Sequence, residues 1–225
     1  LNVRVLLVGA HPDDTEFICG GTIASLTNRG EEVRYVVITS GERGLPPDAA
    51  DLSVREGEQR QAAHALNVTD VDFLREPDGE VADSAALRRK IVEVIRRHQP
   101  EIVITHSPVY NLSSVRYSHS DHLAVGRATL AAVFPEARNA RYHPDAGPPW
   151  VVPEVWLCGV EKPNYVMDIT KYFDEKMSGV RLHHTQMRHF SDADAFFREW
   201  ADEVAQRHGL DAGVLAEEFH RLSTT

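Results

Sequence analysis

The sequence predicts an α/β fold: a Rossmann-like, mostly parallel sheet with helices on both faces, forming a single domain over residues 1–225. Three observations predict it. Short apolar runs that read as buried strands alternate with stretches of helical spacing. Turns rich in Gly, Pro and Asp separate them. Polar clusters of His and Asp follow two of the strands, where open α/β sheets place their ligands.

Val3 to Val8 is nearly continuous in apolar residues and reads as a central strand. The helix after it runs to about Arg29, and Gly30 supplies its stop. Val33 to Thr39 is the second strand, and Ser40 to Pro47 is a loop. Ser53 is placed to cap a helix from Val54 to about Leu66. Val71 to Leu74 is a short strand, closed by the turn Pro77-Asp78-Gly79. Ser84 can cap a helix whose Leu87, Ile91, Val94 and Ile95 form one apolar face. Ile102 to Thr105 is another buried strand, and after the loop His106 to Ser118 a helix runs from near His119 to about Val133. Residues 134–153 show no periodicity and are expected to form a long loop, a lid or an interface. Val155 to Val160 and Tyr165 to Asp168 read as strands. A helical C-terminal segment is expected over 171–222, in the pieces Lys171–Arg188, Ala193–His208 and Val214–Leu222.

The chain carries 34 acidic against 24 basic residues, a formal charge of −10, which disfavours non-specific nucleic-acid binding. Cys19 and Cys158 give neither a disulfide framework nor a Cys-x-x-Cys motif, so a reducing compartment fits. No apolar run is long enough to span a bilayer, and the first residues enter a strand directly, without the pattern of a signal peptide. A cytoplasmic protein without a membrane partner is the expectation.

Two clusters carry the chemistry. His11, Asp13 and Asp14 lie in the turn between the first strand and its helix. Alone, they read equally as a helix start, with Asp14 or Thr15 as cap. His119, Asp121 and His122 open a later helix; the two histidines are three apart and share a face, and Asp121 can orient an imidazole by accepting its second N–H. Alone, this too reads as a polar helix start, with Ser118 or Ser120 as cap. Both clusters follow strands that should be neighbours across the point where strand order reverses. Together His11, Asp14 and His122 make a two-histidine, one-carboxylate set, the pattern of a catalytic zinc site with an open position, which also suits iron(II) or another divalent metal. Glu42, Arg43 and Arg55 flank the expected pocket, where they could meet sugar hydroxyls or a phosphate, and His106 follows a strand end closely enough to line it.

His11-Pro12-Asp13-Asp14-Thr15-Glu16-Phe17, with Cys19-Gly20-Gly21-Thr22, resembles the signature of the PIG-L/LmbE-like family of zinc-dependent N-deacetylases. Tyr117-Ser118-His119-Ser120-Asp121-His122 resembles its second motif, with Ser120 where Pro is usual. Weaker echoes are Arg55 with Glu58, and Asp168-Ile169-Thr170 with Lys176, His183, Thr185 and Gln186. Asn67 stands for a usual helix-ending Gly and Thr185 for a usual Ser, and neither change removes a ligand or the base. The resemblance implies a Rossmann-like fold, with His11, Asp14 and His122 as zinc ligands and Asp13 as general base. It implies that His119 stabilises the oxyanion and can protonate the leaving amine, that Tyr117 assists at the carbonyl oxygen, and that Arg55 binds substrate. The implied reaction removes an acetyl group from the nitrogen of an N-acetylated amino sugar or sugar-containing metabolite. The alternatives are hydrolysis of another amide in a natural-product pathway and a non-catalytic sugar- or metal-binding protein on the same fold. The implied partner is a small glycoconjugate, and the family suggests a homo-oligomer. The turn lacks Gly-x-Gly-x-x-Gly, and its carboxylates would repel a dinucleotide's pyrophosphate.

Overall fold

Strand β1 (Arg4–Gly9) leads through the acidic turn into helix α1 (Asp14–Asn28), and β2 (Glu32–Thr39) follows. Then come α2 (Val54–Ala65), β3 (Asp70–Glu76), α3 (Ala85–His98), β4 (Ile102–His106) and α4 (Ser120–Ala131). The chain finishes with β5 (Glu154–Cys158), β6 (Tyr165–Asp168), α5 (Phe173–Val180), the short α6 (His184–Met187), α7 (Ala193–Arg207) and β7 (Ala216–Ser223). This computed structural model describes residues 2–68, 70–112 and 118–225.

The strands form one sheet in the order β3-β2-β1-β4-β5-β7-β6. The first five of these run parallel, with Leu7 opposite Tyr35 on one side and Ile104 on the other. Period-two alternation divides β1 between two cores. Leu6 and Val8 face the layer of α3 and α4, beside Ile91, Ile95 and Val125. Val5 and Leu7 face the opposite layer, beside Ile23, Ala63 and Leu66. Helices therefore cover both faces, and the strand order reverses between β1 and β4. The C-terminal ends of those two strands face the crevice so formed.

The ends of the chain depart from the expected helices. Val214–Leu222 does not continue as a helix: Ala216–Ser223 is the strand β7, antiparallel to both β5 and β6. Leu215, Phe219 and Leu222 fit a helical spacing, but pairing on two sides outweighs that local pattern. The piece expected over Lys171–Arg188 breaks into α5 and α6. Ser84 caps α3 by accepting from Leu87 N–H at 3.1 Å. Ser53 does not cap α2; its hydroxyl turns away to Asp51 at 2.7 Å.

Residues 134–153 begin in a π-helical turn over Ala132–Ala137 and otherwise form irregular chain. The Arg96 guanidinium, at the end of α3, gathers this segment by donating to the carbonyls of Glu136, Ala137, Asn139, Tyr142 and His143. Trp150 donates to Pro100 O at 2.8 Å and stacks on Arg4. Pro100 and Arg4 lie where β4 and β1 begin, so the segment sits at the end of the strands opposite the crevice. It is not a lid over it.

Helix α1 is broken at Cys19, whose φ is −139°. A buried ion pair closes the break. Lys176 Nζ donates to Phe17 O at 2.9 Å and to Glu217 Oε1 at 2.7 Å. Glu217 in turn accepts from Gly21 N at 3.0 Å and Thr22 N at 2.7 Å, buried donors just after the break. Gly21 is required here because a Cβ would come within 2.7 Å of Ile169. Lys176→Met leaves the Glu217 carboxylate buried without its cation, and urea unfolding is expected to show a loss of about 3 kcal/mol. An unchanged midpoint would remove the pair from the list of supports.

Candidate metal centre

The turn after β1 is shaped by Asp13, which sits at φ 107°, in the left-handed region that side chains with a Cβ rarely adopt. The conformation sends two adjacent carboxylates to different places. Asp14 folds back, its Oδ2 accepting from Ala10 N at 3.0 Å and His11 N at 2.8 Å. Asp13 instead meets Arg55, whose Nη2 donates to Asp13 Oδ2 at 2.9 Å. The Asp13 N–H donates to Gln59 Oε1 at 2.9 Å.

Helix α4 opens from the end of the crevice with His119 as its cap, and His119 Nδ1 accepts from Asp121 N–H at 3.2 Å. Neither Ser118 nor Ser120 takes that place. With Nδ1 as acceptor, the neutral imidazole carries its proton on Nε2 and can donate from there. Burial lowers the His119 pKa, and the neighbouring His11 and His122 lower it further, which favours the neutral ring.

Three donors converge between the clusters. His122 Nε2 lies 3.1 Å from Asp14 Oδ1 and 3.3 Å from His11 Nδ1. His11 Nδ1 lies 3.5 Å from Asp14 Oδ2. Tetrahedral ligands 2.0–2.2 Å from a zinc ion stand about 3.3–3.6 Å from one another, so the spacing fits a small divalent cation. The other nitrogen of His11 fits as well. Nε2 is 3.1 Å from Asp78 Oδ1 and 3.2 Å from Asp121 Oδ2, so its proton faces carboxylates and its Nδ1 lone pair faces the cluster. Asp121 is itself fixed by the Gly79 N–H at 2.7 Å, and Asp78 by the Arg43 N–H at 2.9 Å.

Other side chains also lie at ligand spacing: His119 with His11 and His122, Asp78 and Asp121 with His11, and His106 with Asp14 and His122. Of these histidines, His106 sits deepest. Its Nε2 approaches Asp14 Oδ2 at 3.2 Å, the oxygen already held by two backbone N–H groups, and its ring stacks on His122 at 3.9 Å. That position steadies Asp14 and His122 from behind. Burial, with the His122 charge, holds the His106 pKa down at about 4.

The electrostatics follow from burial and partners. For His11, burial alone would lower the pKa, but hydrogen bonds to Asp121, Asp14 and Asp78 push it up to about 12. Burial raises Asp13 to about 6, with Asp14 adding to the rise and Arg55 opposing it. Asp14 is held well below the usual carboxylate range: burial works against this, and the His122 and His106 neighbours overcome it.

Of the residues singled out in the sequence, the structure gathers His11, Asp13, Asp14, His119, Asp121 and His122 in one crevice. Tyr117 lies outside the described residues. Arg55 is buried, its Nη1 donating to Gly41 O at 2.6 Å and its Nη2 to Pro12 O at 2.5 Å as well as to Asp13. Glu42 accepts from Asp78 N–H at 2.9 Å and so braces a turn, while Arg43 is exposed at the rim. Arg43, Arg55, His11, Asp13, Asp78 and His119 share a polar cavity of about 510 Å³. Sequence reasoning missed Asp78, read only as part of a turn, and Gln59, an unremarked helix residue.

The sheet is doubly wound, and the cluster of two histidines and one carboxylate at its switch point could hold a metal ion. The PIG-L model, GlcNAc-PI de-N-acetylase, matches residues 6–133, and the chain belongs to that family. It is 32% identical over 190 residues to the diacetylchitobiose deacetylase of Thermococcus kodakarensis, across 81% of this chain and 70% of that protein. It is 35% identical over 187 residues to the 1D-myo-inositol 2-acetamido-2-deoxy-alpha-D-glucopyranoside deacetylase of Rhodococcus jostii, across 70% of this chain and 62% of that one. The N,N'-diacetylchitobiose deacetylase from Pyrococcus horikoshii, solved with an inhibitor, superposes with a TM-score of 0.86 at 26% identity over 98% of this chain and 84% of that one.

Gln59 is the support whose removal reads most cleanly. Its Nε2 donates to Glu16 Oε2 at 2.9 Å while its Oε1 holds Asp13. Gln59→Leu strands the Asp13 N–H, while Glu16 keeps Thr15 and His183 as partners, and an expected loss of about 2 kcal/mol would appear in the denaturant midpoint. Wild-type stability in that variant would mean the turn holds its shape unaided.

Proposed function

We propose that this protein is a metal-dependent N-deacetylase that hydrolyses the amide of an N-acetylated amino sugar or small sugar-containing metabolite. The observation that carries the reading is the convergence of His11 Nδ1, Asp14 and His122 Nε2 at ligand spacing, 3.1–3.5 Å apart, with Asp13 on the adjoining polar cavity. The names of the relatives, deacetylases of acetylated amino sugars, support the reaction and the substrate class.

His11, Asp14 and His122 would hold the cation, with zinc the best match to the donor set. Bound there, zinc supplies a Lewis acid and brings the pKa of water to about 7. Asp13 takes the proton of the attacking water as general base. The His119 Nε2–H donates to the carbonyl oxygen as charge develops on it. The carbon–nitrogen bond then breaks, and the proton taken by Asp13 is available to the leaving amine. Acetate and a free amine are the products. Arg55 keeps Asp13 in place, Asp78 and Asp121 keep His11 in its tautomer, and Arg43 stands where sugar hydroxyls would enter.

Two measurements test this. Asp13→Asn should lower turnover of an N-acetylglucosamine derivative by at least about 100-fold while the purified protein keeps its metal. Because Asp13 must be unprotonated to act, kcat/KM in the wild type should fall on the acid side as Asp13 takes up a proton, by about tenfold per unit. The same acid limb persisting in Asp13→Asn would take the base role away from Asp13. Separately, Asp121→Ala removes a partner of His11 Nε2, and competition with a chelator should show zinc affinity reduced about 10- to 100-fold. Unchanged affinity would detach Asp121 from the site.

A further inference from the structure

The cluster has a second side. A separate cavity of about 510 Å³ reaches Asp14, His106 and His122 and is bordered by neither Asp13 nor His119. Its walls are Phe17 and Ile18 from the start of α1, Phe190, and Phe196, Phe197 and Trp200 from α7. All of these except Phe197 are half-buried, with surface left facing the cavity. The rings brace one another: Phe17 lies 5.0 Å from Phe197, and Phe190 lies 5.1 Å from Phe196. Of the polar groups along it, His189 and Ser191 lie at the exposed rim, and the carboxylates are already engaged. Asp14 is held by backbone N–H groups and imidazoles, and Asp192 Oδ1 accepts from Ala195 N–H as the cap of α7.

We infer that this cavity receives the acyl side of the scissile amide and that the enzyme accepts N-acyl chains longer than acetyl. The inference rests on the deacylase reading above and extends its substrate class. An amide presents two substituents to the reacting carbon, one on nitrogen and one on carbon. The polar cavity, with Arg43, Asp78 and His119, suits the hydroxyls of an amino sugar. The aromatic cavity offers such hydroxyls no comparable set of partners, and it rewards hydrocarbon instead. An acetyl group would leave most of it unfilled. Phe190, Phe196, Phe197 and Trp200 lie beyond residues 6–133, the part matched by the family model, so this wall is built by the part of the chain that the shared pattern does not specify.

The test compares N-acetyl-, N-butanoyl- and N-octanoylglucosamine by amine release. Each methylene that enters the cavity should raise kcat/KM about fourfold until the space is filled. Ile18→Trp, which fills the cavity from its α1 side, should reverse the ratio of octanoyl to acetyl turnover. A second readout uses the unmutated, metal-free protein: octanoate should shift the Trp200 fluorescence to the blue, acetate should not, and Trp200→Phe should remove the response. Turnover confined to the acetyl substrate, with no response to octanoate, overturns the inference and leaves the deacetylase reading standing. A response to octanoate with no amine released from any substrate overturns the deacetylase reading and keeps the cavity as an acyl-binding site.

Discussion

The site depends on one backbone conformation, that of Asp13. A residue with a Cβ at φ 107° costs about 1–3 kcal/mol and persists only when its surroundings enforce it. Here the surroundings come from α2. Gln59 accepts the Asp13 N–H, and Arg55 ties Pro12 O, Gly41 O and the Asp13 carboxylate to one guanidinium. With Asp13 turned this way, Asp14 can close onto the N–H groups of Ala10 and His11 while Asp13 opens to the cavity. A regular turn would not separate two neighbouring carboxylates into an inner and an outer role.

Charge is the second constraint. Asp14, Asp78 and Asp121 all approach His11, a concentration of carboxylates that burial alone would not tolerate. Two devices hold it together. Backbone N–H groups from Ala10, His11, Arg43 and Gly79 solvate the oxygens, and His11 is driven to its charged form. A divalent cation at the three converging donors would take over that neutralising task. His11 could then turn neutral on its Nδ1 side while its Nε2–H stayed with Asp78 and Asp121.

The sequence made the β1–α1 turn and the start of α4 legible because each is local: a strand, a few polar residues, a helix. Their union was legible too, since both follow parallel strands and the switch-point rule places those strand ends together. Asp78 and Gln59 were not, because their roles exist only across the fold. Asp78 reaches His11 from the turn after β3, and Gln59 reaches Asp13 from the second turn of α2. The strand β7 was hidden for a similar reason. Its Glu217 is buried and charged, which argues against an interior strand until Lys176 and the break in α1 are seen beside it. Arg96 likewise reads as one of several cations ending α3, and only the folded chain shows it organising residues 134–153.

The residues that converge on the candidate cation site, from His11 to His122, fall within the stretch matched by the family model, and so do Asp13, Gln59, Asp78 and His119. The rest of the chain performs a different task. It supplies β5, β6 and β7 to finish the sheet, the Lys176–Glu217 pair that closes the break in α1, and the aromatic face of α7. Phe17 and Ile18 join the two parts, because they follow the acidic turn directly and yet pack against or face residues from α7. The converging donors and the aromatic wall thus come from different segments that meet along the first turn of α1. Substitutions on α7 can reshape one side of the crevice without touching a donor atom.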